Sequence, residues 1–111
     1  MVKIDRRKGG DRRRSDRHRV SIEVEWENAQ ERRKGTLSDL SMSGCFLLSG
    51  GDVNDGEAVT IHFPTANKKK MNVSGEIVNH VFEVGFAIRF RKLEDSQIVF
   101  LHRLIESVTH D

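Results

Sequence analysis

Strict alternation of apolar and polar residues is the feature that most constrains the fold of this chain. Residues 20–26 alternate without a break, and residues 82–90 repeat the pattern. Because successive side chains of a β-strand point to opposite faces, this pattern predicts strands with one face against a core and the other toward water. The apolar positions of the second segment, predicted to share one face, are Phe82, Val84, Phe86, Ile88 and Phe90.

Four shorter strands are predicted between these two, at about 31–39, 45–48, 59–63 and 71–77. Residues that favour turns separate the strands, and they are Asn28-Ala29, Gly50-Gly51-Asp52, Asp55-Gly56, the loop that follows Pro64 and Asn79-His80. The strand at 71–77 is therefore expected to end in a turn at Asn79-His80.

After residue 95 the spacing of apolar residues changes from that of a strand to that of a helix. An α-helix is predicted over 96–108, with Asp95 or Ser96 as its cap. Six short strands and one closing helix predict a mainly β fold, a small six-stranded antiparallel β-barrel with a C-terminal α-helix. The helix is expected to cover one opening of the barrel, the alternative being a partner helix. Its apolar stripe consists of Ile98, Leu101, Leu104, Ile105 and Val108.

The formal net charge of +2 is divided unevenly along the 111 residues. Residues 1–19 hold nine Lys or Arg against three Asp, whereas residues 20–111 hold ten basic and fourteen acidic residues. Because the first segment has only two aliphatic residues, it cannot build a core, and we predict a flexible basic arm at 1–11 and a single domain at 12–111. A basic arm on an acidic body indicates an anionic partner, although a solvated tail would have the same composition.

Catalysis and metal binding have little support in the sequence. The five histidines show no metal-ligand spacing with one another or with Cys45, and no nucleophile elbow, phosphate-cradling glycine loop or zinc-protease motif is present. We therefore expect a binding protein without a metal or cofactor, and Cys45 is expected to be a buried small apolar residue. The single cysteine, the absence of a secretory pattern and the short apolar runs favour a cytoplasmic location without membrane insertion.

One arginine cluster has the chemistry to bind phosphate. Arg13 and Arg17 lie four residues apart, where the arm meets the first predicted strand. Guanidinium groups form paired hydrogen bonds with phosphate oxygens and stack on flat bases, so two of them could close around a small nucleotide. A segment with seven arginines in nineteen residues also produces this spacing by chance.

The segment Asp39-Leu40-Ser41-Met42-Ser43-Gly44 has the composition of a tight turn between strands. In a turn, Asp39 and Ser41 would bond to nearby backbone amides, and Gly44 would supply a positive φ angle. A ligand role is compatible with the turn, because a carboxylate can accept from the N1–H and the exocyclic amine of a guanine. A carboxylate repels phosphate, so one ligand that uses both segments would need separate phosphate and base parts.

Together these two segments resemble the two motifs of the PilZ domain family. The order of the motifs, the 21 residues between them, the strand count and the Val84-Gly85-Phe86 strand are also similar, and the resemblance spans about residues 11–108. Arg13 and Arg17, preceded by Arg12, match RxxxR, and (D/N)xSxxG is matched by Asp39, Ser41 and Gly44.

The resemblance implies a six-stranded barrel that binds the bacterial second messenger cyclic di-GMP. In that family the two arginines of RxxxR would contact phosphates and guanine faces. Asp39 and Ser41 would contact a guanine edge, and Gly44 would let the turn approach closely. Arg12, at the position before RxxxR, implies an intercalated pair of ligand molecules. Some members place an aromatic or basic side chain against the ligand where this chain has Asn79 and His80, so Asn79 is a further candidate contact.

The preferred interpretation is a stand-alone cyclic di-GMP receptor that relays its signal to an unknown downstream protein. One alternative is a nucleic-acid-binding barrel that uses the basic arm. Against it, the body is acidic, and the six Phe and one Trp occupy core-like positions that leave no exposed stacking platform. Another alternative is a PilZ-like scaffold that binds no ligand.

Overall fold

The computed structural model describes residues 17–65 and 69–109. The predicted arm at 1–11 and the candidate residues Arg12 and Arg13 lie outside the described residues. The described part contains six strands followed by one helix, which confirms the predicted order. These are β1 (His18–Glu27), β2 (Arg32–Leu40), β3 (Gly44–Leu48), β4 (Ala58–Pro64), β5 (Lys70–Val81), β6 (Gly85–Phe90) and α1 (Asp95–Thr109).

The six strands form a closed barrel in the order β1-β2-β3-β6-β5-β4, as predicted, and every neighbouring pair is antiparallel. Pairing of β1 with β4 closes the barrel, with Trp26 opposite Ile61. Closure satisfies the backbone groups that an open sheet would leave at its edges. The alternating residues therefore divide into an inner set that forms the core and an outer set that faces solvent.

The inner set packs into one apolar cluster, which includes Leu37, Leu47, Ile61, Val73 and Ile77, all with no measurable exposure. Trp26 is also fully buried, and its ring meets that of Phe86 edge to face at 5.0 Å. The indole Nε1 donates to Ser49 Oγ at 2.9 Å, so burial of the tryptophan leaves no polar atom unsatisfied.

Helix α1 packs against the barrel, which confirms the predicted helix. Leu101 is completely buried, and Phe100 contacts Phe63 with ring centroids 5.5 Å apart. The predicted caps are wrong: the helix begins at Asp95, so Glu94 is the capping residue, and its amide donates to Gln97 Oε1 at 2.7 Å. The predicted apolar stripe is also wrong at its first position, because Ile98 is 40% exposed.

The predicted boundary between the last two strands is wrong. Asn79 and His80 belong to β5, which continues to Val81, and the chain reverses over 82–84. Phe82 is 81% exposed at this turn, so it does not share a face with the buried residues of β6. The alternation of apolar residues continues through the turn, and the sequence there carries no residue type that favours reversal.

Two local irregularities make this hairpin possible. A bulge between Ile77 and Asn79 inserts one extra residue, so Asn79 rather than Val78 pairs with β6. At the tip the Val84 amide donates to the carbonyl of Val81, and Glu83 adopts a φ of 62°. Because a non-glycine residue with this φ is uncommon, residue types alone did not predict the turn.

Candidate ligand-binding site

Ser41 holds the turn between β2 and β3. It is 2% exposed, and its Oγ accepts from the amides of Ser43 and Gly44, both at 3.2 Å. The hydroxyl lies 3.2 Å from the carbonyl oxygen of Gly44, to which it donates, and the Ser41 amide donates to the same oxygen at 2.8 Å. The predicted bonds from Ser41 to backbone amides are confirmed, and the hydroxyl acts within the turn.

Gly44 is required for a different reason from the one predicted. Positive φ angles among the described glycines occur at Gly51 and Gly56, so the positive φ expected at Gly44 is wrong. A Cβ atom at Gly44 would instead collide with the carbonyl oxygen of Ile88. Glycine is needed here because β3 and β6 approach each other too closely for a side chain.

Asp39 lies in β2, two residues before the turn that was expected to contain it. Its side chain is 27% exposed, and Oδ1 accepts a hydrogen bond from Arg17 Nη1 at 2.9 Å. Asp39 was predicted to bond to the backbone amides of its own turn; the structure pairs it with an arginine 22 residues earlier. This contact joins the last arginine of the first motif to the first residue of the second.

The pairing of the strands places Asp39 in a row of residues that crosses the outer face of the barrel. Arg19 is opposite Asp39, Asp39 is opposite Phe46, and Phe46 and Asn79 are both opposite Ala87. Residues that pair directly point to the same side of a sheet. Phe46 and Ala87 each lie between two core residues of their strands, so the row faces outward.

Comparison with known proteins identifies the family of this chain. The sequence model described as the PilZ domain matches residues 11–107. This chain belongs to the PilZ domain family. No curated protein has a sequence that matches this PilZ domain.

Solved structures share the fold of this PilZ domain at low sequence identity. The PilZ domain of CeSA from a cellulose-synthesizing bacterium is 22% identical with a TM-score of 0.71, and the match covers 86% of this chain and all of that one. The PilZ domain of YcgR from Escherichia coli, solved with c-di-GMP, is 16% identical with a TM-score of 0.73, covering 89% and 92%. The PlzA protein of Borreliella burgdorferi, in complex with c-di-GMP, is 14% identical with a TM-score of 0.67, covering 83% and 40%.

The structure brings only some of the candidate residues together. Arg17 and Asp39 are in contact, and Ser41 and Gly44 shape the turn that follows Asp39. Asn79 shares the outer face with Asp39 but lies three strands away, a spacing of about 14 Å. His80 contacts Asp55 instead, and its Nδ1 lies 2.7 Å from Asp55 Oδ1.

Two residues of the outer row, Arg19 and Phe46, were not predicted from the sequence. Arg19 is exposed and opposite Asp39, so it adds positive charge beside the carboxylate. Phe46 lies between Cys45 and Leu47, both buried, so period-two alternation could have identified it as an outward aromatic residue. The short apolar run concealed this signal, because every residue in it is apolar.

Cys45 is buried beneath the site, as predicted. Burial raises the pKa of its thiol, the negative charge of Asp39 adds to the increase, and Arg17 opposes it. The thiol therefore stays protonated near neutral pH and is a poor nucleophile.

Metal-ion clusters and membrane-spanning helices are both absent from the described residues. Over 17–65 and 69–109, no three His, Cys, Asp or Glu side chains are grouped so that they could hold a metal ion. In the same part of the chain, no helix has the length and apolar character needed to cross a membrane.

Proposed function

We propose that this PilZ domain is a cyclic di-GMP receptor that relays ligand binding to a downstream protein in the cytoplasm. The observation that carries this proposal is the contact between Arg17 and Asp39, because it unites the two motifs at one place on the outer face. The cyclic di-GMP complexes of YcgR and PlzA, which share the fold, support the choice of ligand.

The chemistry of the paired residues suits the two parts of this ligand. Arg13 and Arg17 would bond to phosphate oxygens and stack on guanine faces. The Asp39 carboxylate would accept two hydrogens from one guanine edge. Because the Ser41 hydroxyl is engaged in the turn, we assign it to positioning Asp39 rather than to direct contact.

Ligand binding would replace the contact between Arg17 and Asp39. The Arg17 side chain is 61% exposed, and an ion pair this open to water contributes at most about 1 kcal/mol. Separation of the two side chains therefore costs little. Arg17 gains phosphate oxygens and Asp39 gains a guanine edge, so each side chain exchanges one polar partner for another.

The stoichiometry that we propose is two intercalated ligand molecules. Arg12 precedes RxxxR, and residues 1–19 carry nine basic against three acidic side chains. Two cyclic di-GMP molecules bring four phosphate charges, which this excess of positive charge can neutralise.

Calorimetric titration tests this function and its stoichiometry together. The protein is titrated with cyclic di-GMP and then with short RNA and DNA at physiological salt. We expect saturable binding of two cyclic di-GMP molecules per chain and little heat from either nucleic acid. Absence of cyclic di-GMP binding together with salt-dependent RNA binding would reject the receptor and support the alternative.

Nucleic acid binding remains the second candidate because of one exposed aromatic residue. Phe82 is 81% exposed, so the expectation that every aromatic occupies a core-like position is wrong. An exposed ring on a barrel with a basic arm can stack with bases. The surroundings are unfavourable, since Glu83 follows directly and Asp55 lies nearby, bound to His80. Acidic groups there would repel a nucleic acid backbone.

A further inference from the structure

Phe46 is an aromatic residue on the outer face of the barrel. Its neighbours Cys45 and Leu47 are 1% and 0% exposed and point into the core, so Phe46 points the other way. It is only partly buried and does not belong to the apolar cluster that fills the barrel. The stability of the core therefore does not explain an aromatic ring at this position.

The strand beside Phe46 carries small residues on its outer face. Ala87 is directly opposite Phe46, and Gly85 lies two residues along β6 on the same face. The ring leans over Gly85, because a Cβ atom there would be 3.0 Å from Phe46 Cε2 and would also collide with the backbone of Leu47. Gly85 and Ala87 therefore leave the surface open on the side toward which the ring leans, and Arg89 is the large side chain of β6 on the same face.

Beyond this shallow surface the next strand offers Asn79. Asn79 pairs with the far side of Ala87, so it and Phe46 are separated by two strand spacings, about 10 Å. The outer face thus has an aromatic ring on one side, an alanine floor and an exposed amide on the other. A flat ring of purine size fits this width.

The surface lies next to the residues that would read the base. Asp39 is directly opposite Phe46 on the neighbouring strand, and paired residues on one face lie about 5 Å apart. The Asp39 carboxylate also holds the Arg17 guanidinium at 2.9 Å. A guanine whose edge meets Asp39 therefore has its face within reach of the Phe46 ring.

We propose that Phe46 is a stacking residue for a guanine base of cyclic di-GMP. This inference rests on the proposed function, and it assigns one base to the outer face of β3 and β6. The base covers a partly exposed ring on binding.

The test compares Phe46→Leu with wild type in calorimetric titrations with cyclic di-GMP. Leucine keeps an apolar side chain but removes the aromatic face. We expect affinity to fall about five- to a hundredfold, the range measured for loss of one base–aromatic stack. The melting temperature of the free protein should stay close to that of wild type, since Phe46 is outside the core. Phe82→Leu is the matched control: it removes an exposed aromatic ring at the hairpin tip, and its affinity should be unchanged.

A second variant, Phe46→Trp, reports stacking directly. Trp26 is fully buried, so a tryptophan at 46 is the indole that can contact the ligand. Its fluorescence should be quenched at saturating cyclic di-GMP. If Phe46→Leu does not fold, this measurement alone tests whether a base stacks at position 46. The inference is overturned if wild type binds and Phe46→Leu binds within twofold of it, or if the new tryptophan is not quenched. Failure of wild type to bind would instead reject the proposed function.

Discussion

At the scale of single residues, the site is formed by side chains with separate tasks. Ser41 and Gly44 shape the turn, one by three bonds to its backbone and the other by the absence of a side chain. Arg17 and Asp39 are polar groups on the outer face, and they contact each other. Substitutions in the first pair should therefore change stability, whereas substitutions in the second pair should change binding.

Arg17→Ala should weaken cyclic di-GMP binding by about 1.5–3 kcal/mol, the range for a charge-assisted hydrogen bond. The melting temperature without ligand should hardly change, because the ion pair lost with Arg17 is largely open to water. Calorimetry and thermal denaturation measure the two effects. A variant that unfolds readily but retains wild-type affinity would show that Arg17 has a structural role.

Asp39→Asn should weaken binding by about 1–3 kcal/mol, because the amide offers one acceptor and presents an NH₂ group to the other guanine donor. Asp39→Ala removes both acceptors and should weaken binding further. Titrations with cyclic di-GMP and with cyclic di-inosine monophosphate, which lacks the exocyclic amine, provide the measurement and its control. Equal affinity of wild type for both ligands, with normal binding by Asp39→Ala, would contradict the assignment of Asp39 to guanine.

At the scale of elements, the close approach of β3 to β6 and the hairpin of β5 and β6 determine the outer face. The pairing of β3 with β6 places Phe46 opposite Ala87. The bulge in β5 places Asn79 on the same outer face. Without the extra residue at Val78, Asn79 would point with Ile77 toward the core. The candidate contacts on this face thus depend on backbone irregularities rather than on regular strands.

Gly44→Ala should lower the free energy of unfolding by about 1–3 kcal/mol or more, because the new methyl group meets the carbonyl oxygen of Ile88. Gly50→Ala is the matched control. Its Cβ would have Arg33 Nη1 as nearest neighbour at 3.9 Å, and its φ is not in the positive region. That variant should be neutral or slightly stabilised. Equal denaturation midpoints for the two variants in urea would show that β3 can move away from β6.

At the scale of the whole molecule, a closed barrel of acidic composition follows a basic N-terminal segment in the sequence. The barrel and helix share one core, to which α1 contributes Leu101. The basic residues that would meet the ligand phosphates, Arg12 and Arg13, come from outside the described part of the chain. In the proposed receptor, these arginines would couple ligand binding on the barrel to the downstream partner.

Amide hydrogen exchange over residues 10–19 should slow when cyclic di-GMP is added, because the arm then closes over a ligand held on the barrel. Exchange in β4, which contributes no residue to the outer row, serves as the internal reference. Mass spectrometry of peptides with and without saturating ligand measures both. Unchanged exchange over 10–19 at saturation would contradict closure of the arm.

The local pattern of residues determined which elements form and in what order. Alternation predicted the strands, helical spacing predicted α1, and residue types with specific chemistry identified Arg17, Asp39, Ser41 and Gly44 as candidates. These properties depend on neighbours within a few positions of the chain, so the sequence carries them directly. The hairpin at 82–84 was not predicted, because the alternation of apolar residues continues through it.

Only the tertiary structure decided which residues meet. Strand pairing brings Arg17 to Asp39 across 22 positions, through β1 and β2, and aligns Phe46 with Asn79 through β6. It also gives the reason for Gly44, which is the carbonyl of Ile88 on a neighbouring strand rather than the φ angle of a turn. Strand register and bulges determine these contacts. Both depend on the packing of the whole barrel, so a local pattern of residues does not predict them.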